Sequence, residues 1–192
     1  MLDVVVRVLG QEDWPVYRAV RLAALQESPS ALGGTFEGEA AAGEGFWRAQ
    51  VTAARRLVVE LDGRVCGVVS VGGFSEELGS ADLSGLWVDP SARSTGVAGR
   101  LVDTAITLAV ADGISRIYCW VGTENGPAIG FATGFGFRVT SHRRAAAGGD
   151  GSSAGDTEIA LVLPLEDDPA AVPNGTGGGL GHSRPVHQST GR

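Results

Sequence analysis

The sequence has only two cysteines, no block of basic residues and no long apolar run. Cys66 and Cys119 both lie in apolar, strand-like segments, which favours two reduced core residues over a disulfide framework. No apolar run reaches the roughly 18 residues that a membrane helix requires. The chain starts with Asp3 among valines instead of the basic and apolar segments of a signal peptide, so we expect a cytoplasmic protein.

Charge and histidine content restrict the classes of ligand. The formal net charge is −7 without a Lys- or Arg-rich stretch, so neither a nucleic-acid nor an anionic-membrane partner is expected. The negative net charge weakly favours a cationic or amine substrate. No Cys/His cluster has the spacing of metal ligands, so no metal is expected.

The composition indicates one globular domain followed by a tail. Of the 192 residues 43% are hydrophobic and 19% are charged, which is typical of a folded protein. Residues 166–192 are rich in Gly, Pro and Ser and nearly free of large apolar side chains, so they are predicted to be disordered. The folded domain is therefore expected at residues 1–165.

Hydrophobic periodicity predicts an α/β domain with a mixed sheet. Asp13 is placed to cap a helix that contains Pro15, and residues 28–45 are read as a long loop or a broken helix. Asp62-Gly63 suits the tight turn of a hairpin. Strands are predicted at residues 2–8, 57–61, 65–71, 83–88, 114–121, 135–140 and 158–165, and further helices around Trp47 and Val51, from Val97 to Leu108, and at 127–133.

The stretch from Leu86 to Leu101 carries the clearest chemical signal. A strand ends at Asp89-Pro90, a loop follows, and a helix begins near Gly96. The residues at that helix start are small, so the first backbone N–H groups stay open to a ligand. Those groups and the positive end of the helix dipole suit a pyrophosphate, and Arg93 adds a cation. Neither the dinucleotide fingerprint nor a P-loop is present, and the bland alternative is a turn that needs glycine for its backbone alone.

Two segments carry a family resemblance. Arg93-x-x-Gly96-x-Ala98 resembles the Q/R-x-x-G-x-G/A acetyl-CoA loop of GNAT acetyltransferases, here of the bacterial type. The segment from Asn125 to Phe137 resembles the N-x-x-A-x-x-F-Y-x-x-x-G-F segment of that family. The resemblance covers about residues 2–165. It implies a mixed, mostly antiparallel central sheet of about six or seven strands, flanked by helices on both faces.

The resemblance also implies a site for acetyl-CoA as co-substrate. In such folds the fourth and fifth strands splay apart and the pantetheine arm lies between them, so the backbone of Leu86, Trp87 and Val88 would face it. An N–H near Val88 would polarise the thioester carbonyl and hold the developing oxyanion. The remaining cofactor-binding residues implied are Arg93, Ser94, Thr95, Gly96, Val97, Ala98 and Gly99 around the pyrophosphate, and Asn125 and Phe131 near the pantetheine.

The sequence departs from the family where proton transfer is concerned. Many members have a tyrosine that protonates the leaving thiolate, and here that position is Ala132. A thiol with a pKa near 8.5 is a good leaving group, so a water could supply the proton. Asp82 lies where some relatives carry a carboxylate base, the alternative being a solvated charge at a loop edge. Glu37, Glu39 and Glu44 are candidates to bind a cationic amine.

The expected activity is therefore acetyl transfer from acetyl-CoA to a primary amine, on a small molecule or a peptide, by direct attack in a ternary complex. One alternative is an acyl-CoA-binding sensor or interaction module with weak catalysis. Another is acetylation of a peptide or protein N-terminus. Because family members often dimerise, a homodimer is also left open.

Overall fold

A computed structural model describes residues 3–29, 32–72, 78–146 and 157–165. The predicted tail at 166–192 lies outside the described residues. The strands are β1 (Val4–Val8), β2 (Arg55–Leu61), β3 (Arg64–Val71), β4 (Ser80–Val88), β5 (Arg116–Gly122), β6 (Arg138–Ala145) and β7 (Thr157–Pro164). The helices are α1 (Trp14–Glu27), α2 (Phe36–Ala40), α3 (Glu44–Thr52), α4 (Val97–Ala111) and α5 (Gly126–Gly134).

The strands form one seven-stranded sheet in the order β1-β2-β3-β4-β5-β7-β6. All neighbours are antiparallel except β4 and β5, which run parallel because α4 connects them. Helices cover both faces, and the predicted fold class is confirmed.

Each face of the sheet has its own apolar core. On one face the buried side of α4, including Leu101 and Ala105, packs on β2 to β5 and on β7. On the other face Trp47 of α3 and Tyr17 of α1 pack against Val58, Val68 and Trp87. The two cysteines, Cys66 and Cys119, are buried and free, which confirms their interpretation as core residues.

The hairpin between β2 and β3 turns as predicted. Asp62 and Gly63 have φ angles of 51° and 78°, the left-handed backbone that this turn requires. The sixth strand was placed too early, because it begins at Arg138 instead of residue 135. Gly136, with φ 93°, still belongs to the turn that closes α5.

The start of α1 differs from the prediction. Asp13 occupies the N-cap position, but its side chain makes no capping bond to the helix. Its carboxylate instead accepts the Gly10 N–H at 2.8 Å and a bond from Arg7 at 3.1 Å. Asp13 therefore anchors the turn before α1. Within residues 28–45 the broken-helix alternative is correct, since α2 forms there.

No helix in the described ranges is long and apolar enough to cross a membrane. Within the same ranges, no three His, Cys, Asp or Glu side chains come together as metal ligands would.

Gly67 of β3 is closely packed against residues of β2, β4 and α4. A β-carbon there would lie 2.9 Å from Val59 Cγ1 and 3.0 Å from the Trp87 carbonyl oxygen. We expect Gly67→Ala to lower the free energy of unfolding by about 1–3 kcal/mol, because these buried neighbours cannot move away. The same change at Gly130, exposed within α5 with nothing nearby, should raise it by about 0.5–1 kcal/mol. Urea denaturation of both variants measures the two shifts, and equal effects would contradict the argument.

Candidate active site

β4 and β5 pair only at their beginning and then separate. Three register pairs join them, and the last is Asp82 with Tyr118. β5 continues to pair with β7 along its whole length, so the strands diverge on the β4 side alone. The resulting cleft has a volume of about 650 Å³. It is lined by Leu83–Leu86 of β4, Cys119–Gly122 of β5, Val102 of α4, and several residues of α5 and its flanks, among them Asn125, Phe131 and Ala132.

A β-bulge in β4 accompanies the separation. Ser84 pairs with Ser70 and Trp87 pairs with Val68, so a single β3 residue lies opposite both Gly85 and Leu86. Gly85 has a φ of 63°, which glycine adopts without strain. The extra residue shifts the alternation of side chains, so Leu86 and Val88 join the core beneath α4 while Trp87 points to the opposite core.

The backbone of Val88 faces away from β3. Asp89 N–H donates to the Cys66 carbonyl across β3 at 2.8 Å. Because hydrogen-bonding direction alternates along a strand, the Val88 N–H and C=O point to the other side, where β5 has separated. The Val88 carbonyl indeed accepts Arg93 Nε at 3.0 Å. By the same alternation the Trp87 backbone is directed to β3, so it does not face the cleft side, contrary to the prediction for Trp87.

The loop after β4 presents a run of unpaired backbone donors. Within the described part of the chain, the N–H groups of residues 94–99 have no acceptor, and the first to donate in this region is Arg100, to the Gly96 carbonyl at 3.2 Å. Ser94 and Gly96 have φ angles of 64° and 87°, and such left-handed residues turn successive N–H groups to one side. Together with the positive end of the 15-residue helix α4, this arrangement can hold an anion.

Arg93 has partners of its own. Its Nη2 donates to Glu27 at 2.8 Å, in addition to the bond from Nε to the Val88 carbonyl. Glu27 also accepts the Trp87 indole N–H at 2.9 Å. Bonds from the Ser28 hydroxyl, Trp87 and Arg93 lower the pKa of Glu27 to about 2. Sequence reasoning missed Glu27, since a glutamate at a helix end looks like any solvated charge.

Glu27 should make acid stability depend on this contact. Its pKa in the folded chain is about 2, below its ordinary value, so the carboxylate stabilises the fold above that ordinary value and loses the effect as the pH falls towards 2. We expect Glu27→Gln to have a lower urea midpoint than the unsubstituted chain at pH 7, with the difference shrinking below about pH 4.5. Glu37→Gln, at an exposed α2 position without a bonded partner in the described ranges, is the control. A pH-independent difference would contradict the assignment.

The second predicted segment builds the wall of the cleft opposite β4. Asn125 caps α5, its Oδ1 accepting the Ala128 N–H at 3.1 Å. The rings of Phe131 and Phe135 are tilted against each other by 53°, with their centroids 5.1 Å apart. The side chain of Ala132 is a buried methyl group that lines the cleft, so this position supplies no proton donor.

The titratable groups at or near the cleft include Cys119 and Asp82, and also Glu124 and Glu158, which line it. Cys119 lines it, and burial, together with the nearby Asp82, raises the pKa of its thiol to about 12. Asp82 itself lies at the vertex where β4 and β5 part. Its neighbours Ala81 and Leu83 belong to the core beneath α4, so alternation puts Asp82 on the opposite face, beside Ser84. Asp82 is near the cleft without lining it.

Known proteins resemble the chain in sequence pattern and in fold. The model of the acetyltransferase (GNAT) family matches residues 22–137. No curated protein shows significant sequence similarity to the chain. An N-acetyltransferase structure from Staphylococcus aureus Mu50 is 22% identical with a TM-score of 0.65, covering 85% of this chain and 99% of its own. That of yncA from Salmonella typhimurium, solved with its cofactor acetyl-CoA, is 17% identical with a TM-score of 0.66, covering 89% and 99%.

A ribosomal-protein-alanine N-acetyltransferase from Brucella melitensis is 18% identical with a TM-score of 0.65, covering 83% of this chain and 99% of its own. At these identities the structures establish a shared fold. The family match extends from within α1 to the residue before β6 and spans more than half of the chain. The sequence resemblance is thereby confirmed, and the chain belongs to the GNAT acetyltransferase family.

Proposed function

We propose that this chain transfers an acetyl group from acetyl-CoA to a primary amine. The observation that carries the proposal is the run of unpaired N–H groups at residues 94–99, at the end of the strand that forms one wall of the cleft. A pyrophosphate supplies the acceptor oxygens that these donors lack. The open space around Gly96, where an added β-carbon would meet nothing within 4 Å, leaves room for it.

The cleft between β4 and β5 would hold the pantetheine arm. Its volume of about 650 Å³ and its mixed lining suit an extended chain that carries amides. Leu86 in the bulge and the Phe131 ring line opposite walls. The side-chain carbonyl oxygen of Asn125 caps α5, which leaves the side-chain NH₂ group to bind a ligand. Arg93 reaches the pyrophosphate only with the part of its guanidinium that Glu27 and Val88 do not engage.

Val88 would carry the electrostatic part of catalysis. Its N–H, directed to the cleft side, would donate to the thioester carbonyl oxygen as that oxygen becomes negative. The amine nitrogen forms the new N–C bond, the C–S bond breaks, and the electron pair leaves on sulfur as thiolate. Asp82 is the proposed final acceptor of the amine proton, which would reach it through bound waters because Asp82 lies six residues before Val88 on β4. With Ala132 in place of tyrosine, a water would protonate the thiolate.

Direct transfer is favoured over an acetyl-cysteine intermediate. Among the described residues, Cys119 is the cysteine that lines the cleft. With a thiol pKa raised to about 12 by burial and by Asp82, it is almost entirely protonated at neutral pH and a poor nucleophile. The amine therefore attacks acetyl-CoA itself, with both substrates bound together.

Calorimetric titration with acetyl-CoA, followed by an assay of free thiol release over a panel of amines, tests the proposal. The sequence contains no lysine, so thiol release without added amine reports hydrolysis instead of acetylation of the chain's own side chains. Binding with turnover on one class of amines supports the proposal. Binding without turnover supports the sensor alternative, turnover on peptides alone supports N-terminal acetylation, and no binding at all contradicts the assignment of residues 94–99.

A further inference from the structure

A second, smaller cavity adjoins the cleft on the side of α1 and α3. It has a volume of about 180 Å³ and shares Leu32, Ser84 and Gly85 with the cleft. The cavity therefore opens at the β4 bulge of Gly85 and Leu86, two residues before Val88, whose N–H is proposed to hold the thioester carbonyl. Its charged lining residues are Arg21 and Arg56, and no acidic residue lines it within the described part of the chain.

The two arginines differ in how they are neutralised. Arg21 forms a two-pronged ion pair with Glu39, at 2.7 and 3.0 Å. Among the described residues, Arg56 bonds only to neutral groups, namely the Gln50 backbone carbonyl at 2.9 Å, the Gln50 side chain at 3.3 Å and the Ser70 hydroxyl. Its guanidinium also lies 5.1 Å from the centre of the Tyr17 ring. The two arginines thus carry two positive charges against the single carboxylate of Glu39, which is bonded to Arg21. The local net charge is positive.

Burial makes this charge costly unless an anion binds. The pKa of Arg56 is lowered chiefly by burial, with Arg21 adding repulsion against the attraction of Tyr17 and Glu39. The pKa of Arg21 is raised because the bonds from Glu39 outweigh its burial. A half-buried cation without a bonded carboxylate is a ready partner for an anionic ligand, and a guanidinium fits a carboxylate with two parallel bonds.

The strand register places Arg56 close to the β4 bulge. Arg56, Ser70 and Ser84 stand in register across β2, β3 and β4, so one polar row leads from the guanidinium to the bulge. The Ser70 hydroxyl, which accepts Arg56 Nη1, lies 3.9 Å from where a β-carbon on Gly85 would stand. A ligand that has its amine at the bulge and its anionic group at Arg56 would therefore need only a few bonds between the two groups.

We propose that the acceptor is a small amine that also carries a carboxylate, and that Arg56 binds this carboxylate. The inference rests on the proposed acetyl transfer and names its substrate class. It also replaces the expectation that acidic residues select a cationic amine: Glu39 is bonded to Arg21, and Glu44 is bonded to Arg48 at 2.6 Å. The small volume of the cavity favours a free amino acid over a longer peptide.

Matched acceptors test the inference without any substitution. Glycine, β-alanine and 4-aminobutyrate are compared with their amides in the thiol-release assay, since each pair has the same chain length and replaces a charged carboxylate by a neutral amide. For at least one chain length we expect kcat/KM of the acid to exceed that of its amide by about tenfold or more. If kcat/KM is the same for amide and acid at every chain length, the carboxylate assignment is wrong while acetyl transfer stands.

A pair of variants assigns the effect to Arg56. Arg56→Gln should remove the preference for acids, while Arg55→Gln, at the adjacent exposed residue that pairs with Asp112, should keep it. Acetyl-CoA affinity, measured by calorimetry, should be the same in both variants and in the unsubstituted chain, which separates this test from that of the proposed function. Urea unfolding checks that both variants are folded.

Calorimetric titration of the unsubstituted chain with the three amino acids, in the presence of CoA, gives a readout independent of turnover. We expect at least one of them to bind. Its Kd should rise about tenfold or more after Arg56→Gln and stay unchanged after Arg55→Gln. Absence of binding by all three would overturn the inference, whatever the turnover assay gives.

Discussion

Gly96→Asp is expected to weaken acetyl-CoA binding by about a hundredfold or more. The substitution puts a carboxylate among the unpaired N–H groups of residues 94–99, where the pyrophosphate is proposed to bind. Two like charges about 4 Å apart near a protein surface repel by about 4 kcal/mol, and a hundredfold change in Kd corresponds to about 2.7 kcal/mol. Calorimetric titration with acetyl-CoA measures the change directly.

The substitution should leave the fold intact. Gly96 is the N-cap of α4 and has a φ of 87°, and aspartate is among the few residues that tolerate this backbone. A carboxylate at a helix N-terminus also interacts favourably with the helix dipole. Urea unfolding is therefore expected to show little loss of stability, so that lost affinity reports the binding site alone.

Gly96→Asn is the matched control. Asparagine has nearly the same size as aspartate, caps helices as well and tolerates the same φ, but it carries no charge. We expect it to bind acetyl-CoA far more tightly than Gly96→Asp does, with the gap narrowing as salt is added. Equal affinities for the two variants would mean that no anion binds at residues 94–99.

The sequence predicted the parts of the fold that local chemistry determines. The Asp62-Gly63 turn, the apolar stripe of α4 and the small residues at its start each follow from a few adjacent residues, and each is found in the structure. The separation of β4 and β5 was expected through the family resemblance alone. Nothing within residues 80–88 would have revealed it, because it depends on which strands pair and where that pairing stops.

Long-range side-chain contacts escaped the sequence. The bulge at Gly85 reverses the facing of Trp87, and the shift of one residue cannot be read from residues 86–88, which are all apolar. The bond between Arg93 and Glu27 joins residues far apart in the chain. Arg56 looked like any surface arginine beside Arg55, yet one of this adjacent pair is exposed and the other lines the cavity at the bulge.

Net charge was the least informative guide to the ligand. The chain as a whole is acidic, with a net charge of −7, and this favoured a cationic acceptor. The described acidic groups near α1 to α3 are largely occupied by arginines: Glu39 by Arg21, and both Glu12 and Glu44 by Arg48. In the cavity beside the cleft the positive charge of Arg56 remains without a bonded carboxylate among the described residues, while Glu124 and Glu158 line the cleft itself. The ion pairs around a site, and not the net charge of the chain, determine which charge a ligand meets there.

Val88→Pro is expected to lower kcat by about a hundredfold to a thousandfold while acetyl-CoA still binds. Proline has no N–H, so the proposed donor to the thioester carbonyl is lost. Because the Val88 N–H points away from β3, the change removes no bond from the β3–β4 ladder, and the Val88 carbonyl remains to accept Arg93. Steady-state thiol release gives kcat, and calorimetry gives the affinity for acetyl-CoA.

Val88→Ala separates the backbone from the side chain. It shortens a buried side chain in the core beneath α4 but keeps the N–H, so we expect reduced stability with kcat within a few fold of the unsubstituted chain. Together the variants distinguish two mechanisms. If proline and alanine lower kcat equally, packing at the end of β4 matters and the N–H does not. If proline alone does so, transition-state stabilisation depends on a single backbone donor, which explains how Ala132 can replace a tyrosine: the main barrier would then lie in forming the oxyanion and not in protonating the thiolate.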